Sequence, residues 1–205
     1  MSLPPGEAIY HQNPRDIGRP FPLIKVMESI TKLLWEKARA GDREAYDRLF
    51  TLHAERALLF IRARLGDKIR AKVESHDVLQ DAYLAAHQAF PNFEYTDDNA
   101  FTRWFCRIIE NRIRDLGDHF GAQKRQSVEL PRPDPTGPLT ALDRADHREK
   151  IARALEELSA DHRRVLLCRF FQGFSAEETA QQMARTAGAV RKLTARALIE
   201  LRKKL

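Results

Sequence analysis

Proline clustering divides this chain more clearly than any other feature of its sequence. Five of the ten prolines lie within the first 22 residues and four more lie between Pro131 and Pro138, which leaves only Pro91 elsewhere. Proline fixes the backbone angle φ and removes an amide donor, so both clusters oppose helix and sheet formation. The sequence therefore predicts a proline-rich extension over residues 1–26, a first domain over 27–125, a flexible linker over 126–138 and a smaller second domain over 139–205.

The two predicted domains carry apolar residues at a helical period. Met27, Ile30, Leu33, Leu34 and Ala38 form one such stripe, and no convincing run of alternating β-branched residues occurs. Residues typical of helix ends stand at the expected places and are listed here: Gly41, Asp42, Ser75, Ser159, Ser175 and Thr186. The prediction is an all-α protein of two small helical domains, of which the second contains a helix-turn-helix.

The positive charge of the chain is concentrated at its C-terminal end. The whole chain has a formal net charge of +6, and the segment from residue 185 to 205 contains seven lysines and arginines against Glu200 alone. A local excess of this kind is expected where a protein faces a polyanion such as DNA. A solvated basic tail would give the same composition, so the charge alone does not decide.

The last predicted helix combines this charge with small residues on one face. It follows a capping box at Ser175 and Glu178, a short helix and a tight turn, which is the arrangement of a helix-turn-helix. Apolar residues form its inner face, while cations and small residues share the outer face. This combination favours entry into the major groove over an ordinary amphipathic surface helix. The residues predicted to bind duplex DNA are Arg185, Thr186, Gly188, Arg191, Lys192, Ala195 and Arg196.

Two further helical faces carry polar residues whose pattern leaves their role open. Arg103, Arg107, Asn111 and Arg114 share one face with Trp104 at its edge. Such a face can follow a phosphate backbone and stack on an unstacked base, but a solvated helix with a buried tryptophan fits equally well.

The other face belongs to the preceding helix. Asp77, Gln80 and Asp81 lie three and four residues apart, which places them on one face. This acidic and amide face would suit a basic protein partner, and an exposed helix surface is the alternative.

No set of residues indicates catalysis, a cofactor or a bound metal. His76 and Asp77 form a His-Asp pair, but a metal site there would need further ligands, for which His53 and Asp81 are the nearest candidates. The two cysteines, Cys106 and Cys168, stand far apart within apolar runs, which excludes a cysteine zinc site or a disulfide scaffold. We therefore expect that the protein is not an enzyme. No stretch is long and apolar enough for a membrane helix, and no secretory signal is visible, so we also expect it to be intracellular and cytoplasmic.

Three stretches together resemble bacterial sigma factors of the extracytoplasmic-function (ECF) type, within the sigma-70 family. Asp77-Val-Leu-Gln80-Asp81-Ala-Tyr83 resembles region 2.2. The stretch from Phe101 to Asp115 is similar to the region 2 pattern for promoter melting and −10 recognition, and the stretch from Phe174 to Lys192 is similar to region 4. Ala184 stands where the helix-turn-helix often has glycine.

The resemblance implies a transcription initiation factor whose partners are core RNA polymerase, at its β′ clamp and β flap regions, promoter DNA and, as an option, an anti-sigma factor. It implies that Leu49, Asp77, Gln80, Asp81 and Tyr83 bind core polymerase. For the −10 region it implies Phe93, Asn99, Arg103, Trp104, Arg107, Asn111 and Arg114, and it assigns the −35 element to the last helix. The alternative is a stand-alone helix-turn-helix regulator, which would be a dimer on an inverted repeat.

Overall fold

A computed structural model describes residues 22–65, 67–123 and 142–205 of the chain. Over these ranges every regular element is helical, which confirms the predicted all-α class. The elements are α1 (Pro22–Arg39), α2 (Arg43–Arg64), α3 (Asp67–Arg70), α4 (Ser75–Ala89), α5 (Ala100–Gln123), α6 (Leu142–Glu156), α7 (Ala160–Leu166), α8 (Ala176–Met183) and α9 (Ala187–Arg202). Helix α1 begins five residues before the predicted start at Met27. Most of the predicted extension and linker lies outside the described residues.

The predicted helix ends agree with the structure at all but one position. Asp42, Ser159 and Thr186 each accept a hydrogen bond from a first-turn amide, and Gly41 has a φ of 95°. Ser175 and Glu178 form the reciprocal capping box, with bonds of 3.0 and 2.7 Å. The prediction for Ser75 was wrong: Glu74 precedes α4 without a side-chain cap. Ser75 is buried in the first turn.

Helix α2 lies at the centre of the fold and packs against α1, α4, α5 and α6. Phe50 of α2 contacts Tyr83 of α4 and both Phe101 and Phe105 of α5, with ring centroids 5.4 Å apart in each pair. Edge-to-face geometry of this kind adds to the free energy gained by burying the rings. The aromatic cluster therefore fixes α4 and α5 relative to α2.

Helix α1 is rotated about its axis relative to the predicted apolar stripe. Ile30 and Leu33 are exposed, whereas Glu28 and Thr31 are buried. The reason lies in α2, which presents the buried polar side chain of His53 to α1. Burying a polar group is costly unless it finds a hydrogen-bond partner, and Thr31 Oγ1 lies 2.9 Å from His53 Nε2. The side of α1 that is buried is therefore the side that can pair with His53, not the side with the predicted apolar stripe.

No helix among the described residues is long and apolar enough to cross a membrane. Within the same residues, no group of three or more histidine, cysteine or acidic side chains could hold a metal ion. His53, which was a candidate ligand, instead packs its ring against Phe101 with centroids 4.9 Å apart.

The buried histidine predicts a pH dependence of stability. The Thr31 hydroxyl donates to the Met27 carbonyl, 2.7 Å away, so it accepts from His53 Nε2, which places a proton on that nitrogen. Burial, assisted by the Arg56 charge, lowers the pKa of His53 to about 3. Between about pH 6.5 and pH 3 the unfolded chain therefore binds more protons than the folded one, and the free energy of unfolding falls as pH falls.

We expect His53 to lower the free energy of unfolding by about 1 kcal/mol when the pH is reduced from 7 to 5.5. His53→Gln keeps a neutral donor toward Thr31 and should remove most of that loss, as measured by urea unfolding at the two pH values. An unchanged pH dependence in His53→Gln would contradict the assignment.

Candidate nucleic-acid and protein interfaces

Helix α9 presents an open, basic outer face. Its inner face is buried through Val190, Thr194 and Ala197. The outer face carries the exposed residues Gly188, Arg191, Lys192 and Arg196, with Ala195 half-buried among them. A Cβ added at Gly188 would meet no atom within 4 Å, so the backbone can be approached closely at this position. This geometry suits a helix that enters a DNA groove.

Only part of the cationic charge on this face is engaged within the protein. Arg191 pairs with Glu177 at 2.5 Å and Arg185 pairs with Asp161 at 2.5 Å. Lys192 and Arg196 have no hydrogen-bond or ion-pair partner among the described residues. Thr186 bonds the Ala189 amide at 3.2 Å, which orders the first turn of α9. Exposed ion pairs are worth little, so a phosphate can replace the carboxylates at small cost.

The turn between α8 and α9 contains a strained residue. Ala184 has φ 52° and ψ 48°, the left-handed conformation that a Cβ disfavours. The Arg185 amide bonds the Ala180 carbonyl at 2.9 Å, so the turn closes despite this strain. The structure therefore explains why glycine is common at such a position.

Helix α5 presents the second cationic face. Arg107, Asn111 and Arg114 are exposed, and Arg114 Nη1 donates to Asn111 Oδ1 at 3.3 Å. Arg103 is half-buried and bonds the Asp97 carboxylate. Although burial opposes ionisation of Asp97, bonds from Arg103 and from the Asn99 amide lower the pKa of that carboxyl. Arg103 is thus held by the loop before α5, whereas Arg107 is exposed to solvent.

The aromatic residues beside this face are fixed by stacking. Phe93 is buried and its ring stacks on Trp104, with centroids 4.6 Å apart and planes inclined by 27°. Trp104 is half-buried and also contacts Phe90 and Phe101. Phe93, predicted as a DNA contact, has no free face in this arrangement. It supports Trp104 instead.

Helix α4 brings its acidic residues together as expected. Asp77, Gln80 and Asp81 are exposed, and none has a hydrogen-bond or ion-pair partner elsewhere in the described part of the chain. Leu84 lies on the same arc of about 100° and is 67% exposed. Reasoning from sequence missed Leu84 because it looked for polar residues, yet the helical period places it on this face. We call Asp77, Gln80, Asp81 and Leu84 the α4 face.

Two residues predicted for the same function point inward. Leu49 is fully buried, and the Tyr83 ring lies parallel to that of Phe105 with centroids 5.5 Å apart. The Tyr83 hydroxyl donates to the Phe50 carbonyl at 3.3 Å, and burial raises its pKa to about 12. Both side chains hold α4 in place rather than forming part of an exposed surface.

Comparison with known proteins identifies the family. Residues 49–125 match the family described as "Sigma-70 region 2", and residues 154–203 match "Sigma-70, region 4". ECF RNA polymerase sigma factor SigM of Mycobacterium tuberculosis is 32% identical over 169 residues, covering 79% of this chain and 78% of its own. ECF RNA polymerase sigma factor SigD of Mycobacterium bovis is 31% identical, covering 81% and 79%.

The chain therefore belongs to the sigma-70 family, and its relatives place it in the ECF group of these transcription initiation factors. Matches to both regions exclude the alternative of a stand-alone helix-turn-helix regulator. Among solved structures, "CnrH in complex with the cytosolic domain of CnrY" is similar with a TM-score of 0.47 and 23% identity, covering 85% of this chain and 96% of that one. We refer below to residues 49–125 as region 2 and to residues 154–203 as region 4.

The strained turn yields a stability prediction. Ala184→Gly removes the Cβ that disfavours the left-handed conformation and should raise the free energy of unfolding by about 0.5–1 kcal/mol. The matched control is Ala189→Gly, which places glycine inside α9 and should lower it by about 1 kcal/mol. Urea unfolding of the full chain measures both, and a loss of stability in Ala184→Gly would contradict the strain argument.

Proposed function

We propose that this chain directs core RNA polymerase to promoters through three separate surfaces. The α4 face binds polymerase, the outer face of α5 engages the −10 region, and the outer face of α9 reads the −35 duplex. The observation that carries the proposal is the presence of both sigma regions, each with an exposed, correctly charged helical face. The place of action is the cytoplasm, where polymerase and DNA are found.

Polymerase binding is assigned to the α4 face because of its chemistry. An exposed leucine beside two unpaired carboxylates and an amide can place one apolar anchor within a polar rim, as protein interfaces commonly do. We assign the matching basic and apolar surface to the β′ clamp of core polymerase. Leu49 and Tyr83 act behind this face by fixing its position. Region 4 would contact the β flap.

Recognition of the −10 region is assigned to α5. Arg107, Asn111 and Arg114 would follow the phosphate backbone. Arg103 would bind DNA once its ion pair with Asp97 is broken. Trp104, held by Phe93, offers an aromatic edge to an unstacked base. Opening DNA without ATP requires that the cost of unstacking, a few kcal/mol per base, be offset by such contacts.

Recognition of the −35 element is assigned to α9. Arg191 lies one helical turn after the cap and is the residue best placed to reach a base edge. Lys192 and Arg196 would contact phosphates, together with the N-terminus of α9 at Thr186. Arg185 stands at the start of the same surface. An anti-sigma factor is a further candidate partner.

In vitro transcription tests the function as a whole. Core polymerase with the purified full chain should start transcription at discrete sites in a genomic DNA library, and those sites should share two unlike upstream elements. Core polymerase alone is the control. Failure to confer initiation would refute the proposal.

The α4 face gives the first mutational prediction. Asp81→Arg reverses a charge that faces the clamp and should abolish co-purification with core polymerase. Leu84→Lys should weaken it strongly because it removes the apolar anchor without disturbing the core. Glu44→Arg is the matched control, since Glu44 is exposed on α2 and its change should leave the pull-down intact. Retained binding in Asp81→Arg would argue against this docking surface.

The outer face of α9 gives the second mutational prediction. Arg191→Ala should weaken promoter binding by the holoenzyme by about 1–3 kcal/mol if the guanidinium contacts a base edge. Lys203→Ala removes a cation from the end of the helix, beyond the predicted contact, and should change affinity much less. Gel shift of holoenzyme on a mapped promoter measures both, and parental affinity in Arg191→Ala would remove this residue from the interface.

A further inference from the structure

The loop before α5 is supported by α1, a helix that precedes the residues matching region 2. We call residues 93–99 the α5 loop, which joins a short 3₁₀ helix, Phe90–Asn92, to α5. The loop contains no helix or strand of its own, so its conformation depends on contacts with its neighbours. The match to region 2 starts at residue 49, whereas α1 ends at Arg39.

Aromatic rings connect α1 to the residue of α5 that is assigned to an unstacked base. The Trp35 ring of α1 lies 5.4 Å from the ring of Tyr95 and 6.3 Å from that of Phe93, measured between centroids. Phe93 in turn stacks on Trp104. The rings of Trp35, Phe93 and Trp104 therefore form one continuous series. Because packed side chains have little free space around them, removing the first ring weakens the support of the last.

Tyr95 binds the middle of the α5 loop to α1. Its Oη lies 3.1 Å from the Asp98 carbonyl and 3.4 Å from the Glu28 carbonyl of α1. Burial and the nearby carboxylates raise the pKa of Tyr95 to about 12. The hydroxyl is therefore protonated at neutral pH and donates to these carbonyls.

Arg39 of α1 holds the chain just before the loop. Its guanidinium donates to the Pro91 carbonyl and lies over the Trp35 ring, 5.9 Å from the centroid. A guanidinium in this position is attracted by the indole ring, so Arg39 stabilises Trp35 and the start of the loop together. Trp35 Nε1 is buried without a hydrogen-bond partner among the described residues. Since an unpaired buried donor is unfavourable, Trp35 contributes through its ring contacts.

A loop that is ordered before DNA arrives binds DNA more tightly than one that DNA must order. Ordering a loop and its side chains on association opposes binding, and ordering them beforehand removes that cost. The α5 loop leads directly into Arg103 and Trp104, and Asp97 within the loop pairs with Arg103. The contacts of the loop with α1 therefore influence how these two side chains meet DNA.

We propose that Trp35 and Arg39 are positioning residues for −10 recognition, through which α1 holds the α5 loop and Trp104 in the conformation that meets the displaced strand. Neither residue contacts DNA, since both act through the loop and Phe93. The inference rests on the proposed function of α5 and adds to it a helix that lies outside the region 2 match.

Fluorescence tests the positioning of Trp104 without DNA. The chain contains two tryptophans, so Trp104 is the only one left in both Trp35→Phe and Trp35→Ala. Trp35→Phe keeps an aromatic ring against Phe93, whereas Trp35→Ala removes it. We expect acrylamide to quench Trp104 about twofold more strongly in Trp35→Ala, because the loop opens more often. Urea unfolding shows whether both variants remain folded, and equal quenching in folded variants would overturn the positioning role.

Promoter opening tests the consequence for −10 recognition. Holoenzyme with Trp35→Ala should form open complexes on a mapped promoter about tenfold more slowly than the parent holoenzyme, the factor that corresponds to one lost aromatic pair. Trp35→Phe should recover most of this rate. Co-purification with core polymerase and binding to a duplex that contains only the −35 element should be unchanged, which a general loss of structure would not allow. A parental opening rate in Trp35→Ala would contradict the inference.

Arg39→Ala gives a second test that leaves the aromatic rings in place. It should slow open-complex formation about threefold, the size expected for one exposed contact. Lys37→Ala is the matched control, because Lys37 is the other cation in the last turn of α1 and is exposed. Equal opening rates in Arg39→Ala and Lys37→Ala would remove Arg39 from the positioning set.

Failure of the proposed function is a separate result. In that case the parent holoenzyme itself would not initiate, and a role of α1 at the −10 region would be refuted with it. If the parent initiates, the variants of Trp35 and Arg39 decide the inference by themselves.

Discussion

The aromatic cluster at the crossing of α2, α4 and α5 determines how the functional faces of region 2 are arranged. Phe50 contacts rings from both other helices, and the Tyr83 ring lies parallel to that of Phe105. The inner sides of α4 and α5 are thereby locked together while their outer sides carry the acidic and the basic surface. Because packed interiors transmit displacement rather than absorb it, a polymerase bound at α4 in the proposed way would hold α5 in a defined position.

Local sequence signals predicted the helices well because they act within one turn. Caps at Asp42, Ser175 and Thr186 depend on neighbouring amides only, so their side chains identify them. The outer face of α9 was equally predictable from its period. Sequence reasoning failed where a contact spans helices: α1 is rotated because His53, some twenty residues later, needs Thr31 as its partner.

The candidate interfaces show the same division. The charged residues predicted for the interfaces are mostly exposed on the outer sides of their helices, whereas Leu49 and Phe93 are buried and Tyr83 is half-buried behind those faces. An apolar or aromatic side chain near a functional motif can either contact the partner or position the residue that does. Burial decides between these roles, and burial depends on tertiary packing that a helical period does not contain. Leu84 is the converse case, an apolar residue left outside by the same packing.

The composition of the contact between regions 2 and 4 suits a reversible state. Its centre combines the Phe60–Phe171 ring contact with hydrogen bonds to the carbonyls of Phe170 and Phe171, and its rim consists of ion pairs. If the two regions separate, the hydrogen bond between Arg56 and the Phe170 carbonyl is replaced by hydrogen bonds from each group to water. Such a replacement changes the free energy little. A large, dry apolar interface would instead hold the two regions permanently together. Region 4 can therefore separate from region 2 at a modest cost in free energy.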